Sequence, residues 1–94
     1  MKSKSYADVW EAIEPSRAEA ANMRLRADLM IAVDEVVVGW KLSQTAAARR
    51  LGLTQPRLND LLRGRIDKFS LDALSNIAMA AGLSVQMKVK RPAA

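Results

Sequence analysis

Apolar residues recur at helical spacing along most of this chain and change to strict alternation only near its end. The sharpest pattern runs from Leu42 to Gly64 and predicts two short helices around a tight turn. Ala48, Leu51, Leu53, Leu58, Leu61 and Leu62 fall on inward positions, and Gln55, Arg57, Asn59, Asp60 and Arg63 fall outward. The Ala-rich run Gln44 to Leu51 favours helix. Gly52 follows where a helix stops and the backbone needs positive φ. Thr54 is a good N-cap for the second helix, and Pro56 sits in its first turn, where a missing N–H does no harm. Ala48 is small enough to let the two helices cross closely. An ordinary αα-hairpin shares the glycine stop. It does not require a leading Gln, a small residue four later, a Gly four after that and a polar second helix, and their coincidence reads as a helix-turn-helix.

The flanks predict support for that unit. Residues 1–5 read as a frayed end. Tyr6 to Ile13 can form a short helix capped by Ser5, with Val9, Trp10 and Ile13 as its stripe and Pro15 as its break. Trp10 either packs back on the domain or anchors a partner protein. Ser16 and Glu19 have capping-box spacing and open a long helix to about Val38. Leu25, Leu29, Ala32 or Val33, and Val36 are its expected core positions, Met23 and Met30 its core or interface filler, and Gly39 its stop. Trp40 and Leu42 then plug the entry to the next helix, which Ser43 caps. Past Gly64, Arg65 to Phe69 reads as a loop pinned by Ile66 and Phe69. Ser70 caps a last helix, Leu71 to Ala81, with Leu71, Leu74, Ile77, Ala78 and Ala81 inward and Gly82 at its end.

The alternation then sets Leu83, Val85, Met87 and Val89 on one face of a C-terminal strand. A lone strand has an open edge that invites pairing. Three outcomes remain: an antiparallel ribbon with a second copy, addition to a partner's sheet, or a loosely docked tail. The expected architecture is all-α, a bundle of about five helices, with one C-terminal β-strand pairing across a dimer. It divides into an arm (1–14), a helix-turn-helix domain (15–82, motif 42–64) and a dimerisation strand with tail (83–94).

Composition narrows the chemistry. The 94 residues suffice for one domain with a modest core. Half are hydrophobic but only 4% aromatic, so the core must be Ala, Leu, Val, Ile and Met. With 0 His and 0 Cys there is no imidazole base, thiol or soft metal ligand. Ser, Lys and carboxylates are scattered along helices without a shared pocket. No catalytic residue, cofactor or metal is therefore expected. No apolar run is long enough to span a membrane and no signal peptide is evident, so a cytoplasmic location is expected.

Charge adds direction. The net +5 is unevenly spread. Residues 1–40 carry five basic and seven acidic side chains, whereas 41–68 carry seven basic and two acidic. The positive excess coincides with the helix-turn-helix, where a polyanion would bind.

The run LSQTAAARRLGLTQPRLNDLLRG closely resembles the lambda-repressor-like, Xre-type family, whose typical run reads L-T-Q-x-x-x-A-x-x-L-G-V-[ST]-Q with a recognition helix closed by R-G. It matches at Leu42, Gln44, Leu51, Gly52, Thr54, Gln55, Arg63 and Gly64, with Ala47 or Ala48 as the small residue. Leu53 and Leu58 stand where Val is more usual, and Pro56 and Arg57 are less typical. AEAANMRLRADLMIAV, LTQPRLNDLLRGRIDKFSLDAL and the hydrophobic tail resemble most the HigA-type antitoxins of toxin–antitoxin pairs. The resemblance implies a recognition helix that enters the DNA major groove with its N-terminus leading. On this chain Gln55, Pro56, Arg57 and Asn59 become base-contact candidates. Gln44, Thr45, Arg49, Thr54, Arg63, Arg65 and Lys68 become phosphate-contact candidates. Asp60 would orient a nearby Arg or filter wrong sites. The implied partners are double-stranded DNA with an inverted repeat, a second copy of the chain, and a basic RelE/HigB-like toxin. A stand-alone repressor without a toxin is the competing reading.

On these grounds Arg57→Ala is expected to relax specificity at one base pair. Arg65→Ala is expected to weaken binding to every sequence alike and to reduce the salt slope by about one. Base-preference profiles collected across a salt series separate the two; identical profiles for both variants would refute this division.

Overall fold

A computed structural model describes residues 15–92, and the side chains of 16–92. Four α-helices follow in order: α1 Pro15–Trp40, α2 Gln44–Leu51, α3 Gln55–Leu62 and α4 Leu71–Ala80, with a 3-10 turn at Ile66–Lys68 between α3 and α4. The expected fifth helix over Tyr6 to Ile13, with Trp10, and the arm 1–14 lie outside the described residues.

One apolar cluster joins all four helices. Met30, Val33 and Val37 come from α1, Ala47, Ala48 and Leu51 from α2, and Leu58 and Leu61 from α3. Leu74, Ile77 and Ala78 of α4 close it, together with Phe69 from the turn. Leu58, Leu74 and Val33 have no exposed surface. Burying each such side chain stabilises the fold by about 1.5–3 kcal/mol. Helix α1 packs mainly on α4, and also on α3 and the 3-10 turn, while α2 packs on α3 and α4. At 26 residues, α1 is about 39 Å long and overruns the core, so Met23 and Leu25 stand exposed.

Short helices need local starts and stops, because four N–H and four C=O groups at each end lack partners. Ser43, Thr54 and Ser70 sit in extended backbone and accept from the N–H of Ala46 (3.1 Å), Arg57 (3.2 Å) and Ala73 (3.0 Å). Each such cap contributes about 1 kcal/mol. Helix α2 ends at Gly52 in the left-handed region (φ 72°). There the Leu53 N–H reaches Ala48 O (2.8 Å) and the Gly52 N–H reaches Arg49 O (3.1 Å), a Schellman pair. The same pair closes α3 at Gly64, where Arg65 N–H bonds Asp60 O and Gly64 N–H bonds Leu61 O, both at 3.0 Å. An added Cβ at Gly52 meets nothing within 4 Å, so that glycine is needed for its backbone angle rather than for space.

Several expectations are corrected. Ser16 is already helical and so is not the cap of α1. Gly39 lies inside α1, which runs on to Trp40 and ends at Lys41, a non-glycine residue with φ 55°. The buried stripe of α1 is Met30–Val33–Val37: of the expected positions Val33 is fully buried and the filler Met30 is buried beside it, while Leu29 packs at the margin, Val36 is half-buried and Leu25 is exposed. The C-terminal half of α1 is apolar on almost every side, so periodicity alone does not choose the inward face. Residues 83–92 form no strand. Alternation fixes which side chains share a face, but a strand also needs a ladder partner, and the described residues offer none. Leu83 packs on the core, while Val85, Met87 and Val89 are exposed. Among the described residues, no helix is long and apolar enough to cross a membrane.

Leu58→Ala is expected to lower unfolding free energy by about 2–5 kcal/mol, whereas Met87→Ala should change it by less than about 0.5 kcal/mol. Urea denaturation followed by circular dichroism measures both.

Candidate nucleic-acid interface

The starts of α2 and α3 meet at the surface. Gln55, the first residue of α3, donates from Nε2 to Thr45 Oγ1 of α2 at 2.8 Å. This bond fixes the Gln55 amide on the exposed edge between the two helices. An amide has two N–H donors and one carbonyl acceptor, so Gln55 keeps one N–H and its Oε1 for a ligand. Pro56 beside it is exposed, and Asn59, one turn later, is half-buried. Gln44 opens α2, next to its cap Ser43, and is exposed. Thr45, Arg49, Thr54, Arg63, Arg65 and Lys68 are all exposed as well. No acidic residue stands in the first turn of α2 or α3.

Two acidic and basic neighbours pair at the far end of α3. Arg65 Nε lies 3.7 Å from Asp60 Oδ1, consistent with Asp60 as an orienting partner for an Arg. The Arg65 side chain is 46% exposed, so the pair is worth well under 1 kcal/mol.

Arg57 is held differently from the other candidates. Its guanidinium lies 3.9 Å from the centre of the Phe69 ring, and Nη1 donates to Lys68 O at 2.7 Å. The side chain is half-buried. A cation–π contact contributes about 0.5–2 kcal/mol and a hydrogen bond from a charged donor about 1.5–3 kcal/mol. The bond to Lys68 O is open to solvent, so both contacts fall at the low end of these ranges, comparable to the roughly 1–3 kcal/mol that a bidentate Arg–guanine pair supplies in discrimination. Arg57 is thus not brought together with Gln55 and Pro56 at the exposed start of α3; its charged end faces the turn.

Sequence reasoning missed Arg26. From the middle of α1 its Nη1 donates to Ile66 O (2.9 Å) and Phe69 O (3.3 Å), while Nε donates to Asn22 Oδ1 (2.7 Å). Arg26 and Arg57 therefore grip the turn from two helices, with Phe69, 1% exposed, between them. The only local signal is Asn22 four residues before Arg26; the partners some forty residues away have none. Arg50, also missed, lies 4.5 Å over the Trp40 ring and joins α2 to the end of α1.

A capped helix pair with a left-handed glycine turn, an exposed Gln–Thr junction and a basic surface defines the Xre-like helix-turn-helix class, a class of DNA-binding transcriptional regulators. The profile of the helix-turn-helix domain family matches residues 12–90, and the chain belongs to that family. A solved structure described as a candidate XRE family transcriptional regulator is similar, with a TM-score of 0.73 and 28% identity. The match covers 79% of this chain and 83% of that one. No curated protein matches the chain significantly.

Arg26→Met keeps the aliphatic stem and removes the donors for two part-buried carbonyls. It should cost about 2 kcal/mol of stability, and Arg26→Lys should recover only part because one ammonium cannot reproduce the fork. Urea melts of the three proteins test this.

Proposed function

We propose that this chain is a sequence-specific repressor that binds an inverted repeat as a homodimer, represses its own operon, and is the antitoxin of a basic RelE/HigB-like toxin. The observation that carries the DNA half is the Thr45–Gln55 bond at the exposed start of α3, set within the most basic stretch of the chain. The N–H and Oε1 that Gln55 retains match adenine N7 and N6, so it can read adenine without breaking its bond to Thr45. Pro56 would meet a thymine methyl, and Asn59 offers a second amide. Gln44, Thr45, Thr54, Arg49, Arg63, Arg65 and Lys68 would meet phosphates and set the register, with the helix N-termini adding positive potential.

A single domain of this size buries too little to be selective on a genome. Two copies with recognition helices roughly 34 Å apart would read both half-sites. The exposed Val85, Met87 and Val89 are the proposed dimer contact, and residues 1–14 the proposed arm for a protein partner. The acidic bias of residues 1–40 suits a basic toxin, and that half of the reading rests on the resemblance to HigA-type antitoxins. The competing reading is a stand-alone repressor; the similar solved structure is described as a transcriptional regulator.

The test is co-purification of the full chain with the product of its neighbouring gene, then binding to its own promoter across a salt series. The antitoxin reading expects a tight complex and promoter affinity that rises steeply as salt falls, with log Kd against log salt giving a slope of several units. Promoter binding without a protein partner would leave the stand-alone repressor. No promoter binding at low salt would refute the DNA reading itself.

A further inference from the structure

Arg57 lies on the recognition helix but spends its guanidinium on the turn that follows the helix. The contacts are the Phe69 ring face at 3.9 Å and the Lys68 carbonyl at 2.7 Å. Arg26 of α1 holds the carbonyls on either side, Ile66 O at 2.9 Å and Phe69 O at 3.3 Å. The carbonyls of residues 66, 68 and 69 are thus shared between a core helix and the recognition helix, with Phe69 touched by both, its carbonyl by Arg26 and its ring by Arg57. Building on the DNA-binding reading above, we propose that Arg57 is a positioning residue. It sets the angle of α3 against the body of the domain, and base reading falls to Gln55, Pro56 and Asn59; this replaces the expectation, drawn from the sequence, that Arg57 reads one base pair.

Three geometric facts support this. The Arg57 guanidinium is engaged by a ring face and a carbonyl outside α3, while Gln55 and Pro56 at the leading end of α3 are exposed. Its partners belong to a segment tied to α1, so the contact links two bodies rather than two neighbours on one helix. Reaching a base would also uncover one face of Phe69 and strip the Lys68 carbonyl of its charged donor. By contrast, Gln55 reaches its own intramolecular partner, Thr45, and still keeps a donor and an acceptor free.

A base reader and a positioning residue fail differently. Removing a base reader erases preference at one base pair and leaves the others sharp. Removing a positioning residue weakens every specific site by a similar factor and leaves the order of preference intact. Non-specific binding, which depends on charge, then drops only by the share of one cation.

The experiment is selection from a randomised double-stranded oligonucleotide pool with the full chain, comparing wild type, Arg57→Met, Arg57→Lys and Phe69→Leu. Phe69→Leu removes the aromatic platform but keeps the Arg57 charge. We expect Arg57→Met and Phe69→Leu to select the wild-type consensus at every position, with specific affinity reduced about tenfold and the specific-to-non-specific ratio lowered. Arg57→Lys, which keeps a charge and one donor, should recover part of the loss. Combining Arg57→Met with Phe69→Leu should reduce affinity little beyond either alone, because both break one contact. Circular dichroism at the binding temperature checks that each variant is folded; if Phe69→Leu is not, the Arg57→Met profile decides alone. The Arg57 Nε–H signal in NMR gives a second readout. Shifted by the Phe69 ring in the free protein, it should stay shifted in the DNA complex. Loss of preference at a single base pair in Arg57→Met, or loss of the ring shift on DNA binding, overturns the proposal while leaving the DNA reading standing. A wild-type chain that selects no consensus at low salt overturns both.

Discussion

The turn between α3 and α4 has to satisfy its carbonyl groups while carrying Phe69 into the core, and two guanidiniums meet that constraint. Arg26 takes the carbonyls of residues 66 and 69 from α1, and Arg57 takes that of residue 68 from α3. The Phe69 ring lies under the Arg57 guanidinium and is almost fully buried. Because α1 is the longest element and α3 the one with an exposed working edge, this junction couples the scaffold to the surface that matters. Removing Arg26 leaves two part-buried carbonyls without that donor, and removing Arg57 uncovers one face of the Phe69 ring.

Around that junction the helix-turn-helix is held by conventional local devices. Side-chain caps start α2, α3 and α4, and left-handed glycines stop them. Each device satisfies groups that a short helix would otherwise leave to water. The result is a rigid edge where the starts of α2 and α3 converge, and where the Thr45–Gln55 bond fixes one amide with hydrogen-bonding capacity to spare. The edge belongs to the stretch 41–68, which carries the chain's excess of basic residues. On the proposed reading, position would come from the fold, affinity from charge, and selectivity from the few side chains that the fold leaves free.

The motif was legible because its signals are local. Ser43, Thr54, Ser70, Gly52 and the inward Leu58 and Leu61 all stand where spacing and residue chemistry put them. Three features were not legible, each for a physical reason. The inward face of α1 was ambiguous because Leu29, Met30, Ile31, Val33, Val36, Val37 and Val38 wrap most of the helix, and packing on α4 made the choice. The alternation of residues 83–90 promised a strand, but no ladder partner exists among the described residues. The roles of Arg26 and Arg57 depend on where Phe69 and the turn come to rest, and nothing in the spacing of either Arg encodes that. Asp60 lies between these cases: its pairing with an Arg was foreseeable from charge, but its partner Arg65 was set by the stop at Gly64.

The end of α1 carries a different lesson. The three later helices stop at glycines, which enter the left-handed region freely, but α1 stops at Lys41 with φ 55°. An L-residue held there carries about 1 kcal/mol of backbone strain. A domain of this size has a total stability on the order of 5–10 kcal/mol, so a single dihedral withholds an appreciable fraction of it. That strain sits between the scaffold helix and Ser43, the start of the DNA-facing pair. The joint most free to gain stability is therefore also one of the two joints, with the turn after α3, that connect the helix pair to the scaffold. Its stiffness, rather than any contact it makes, is what the chain has left adjustable.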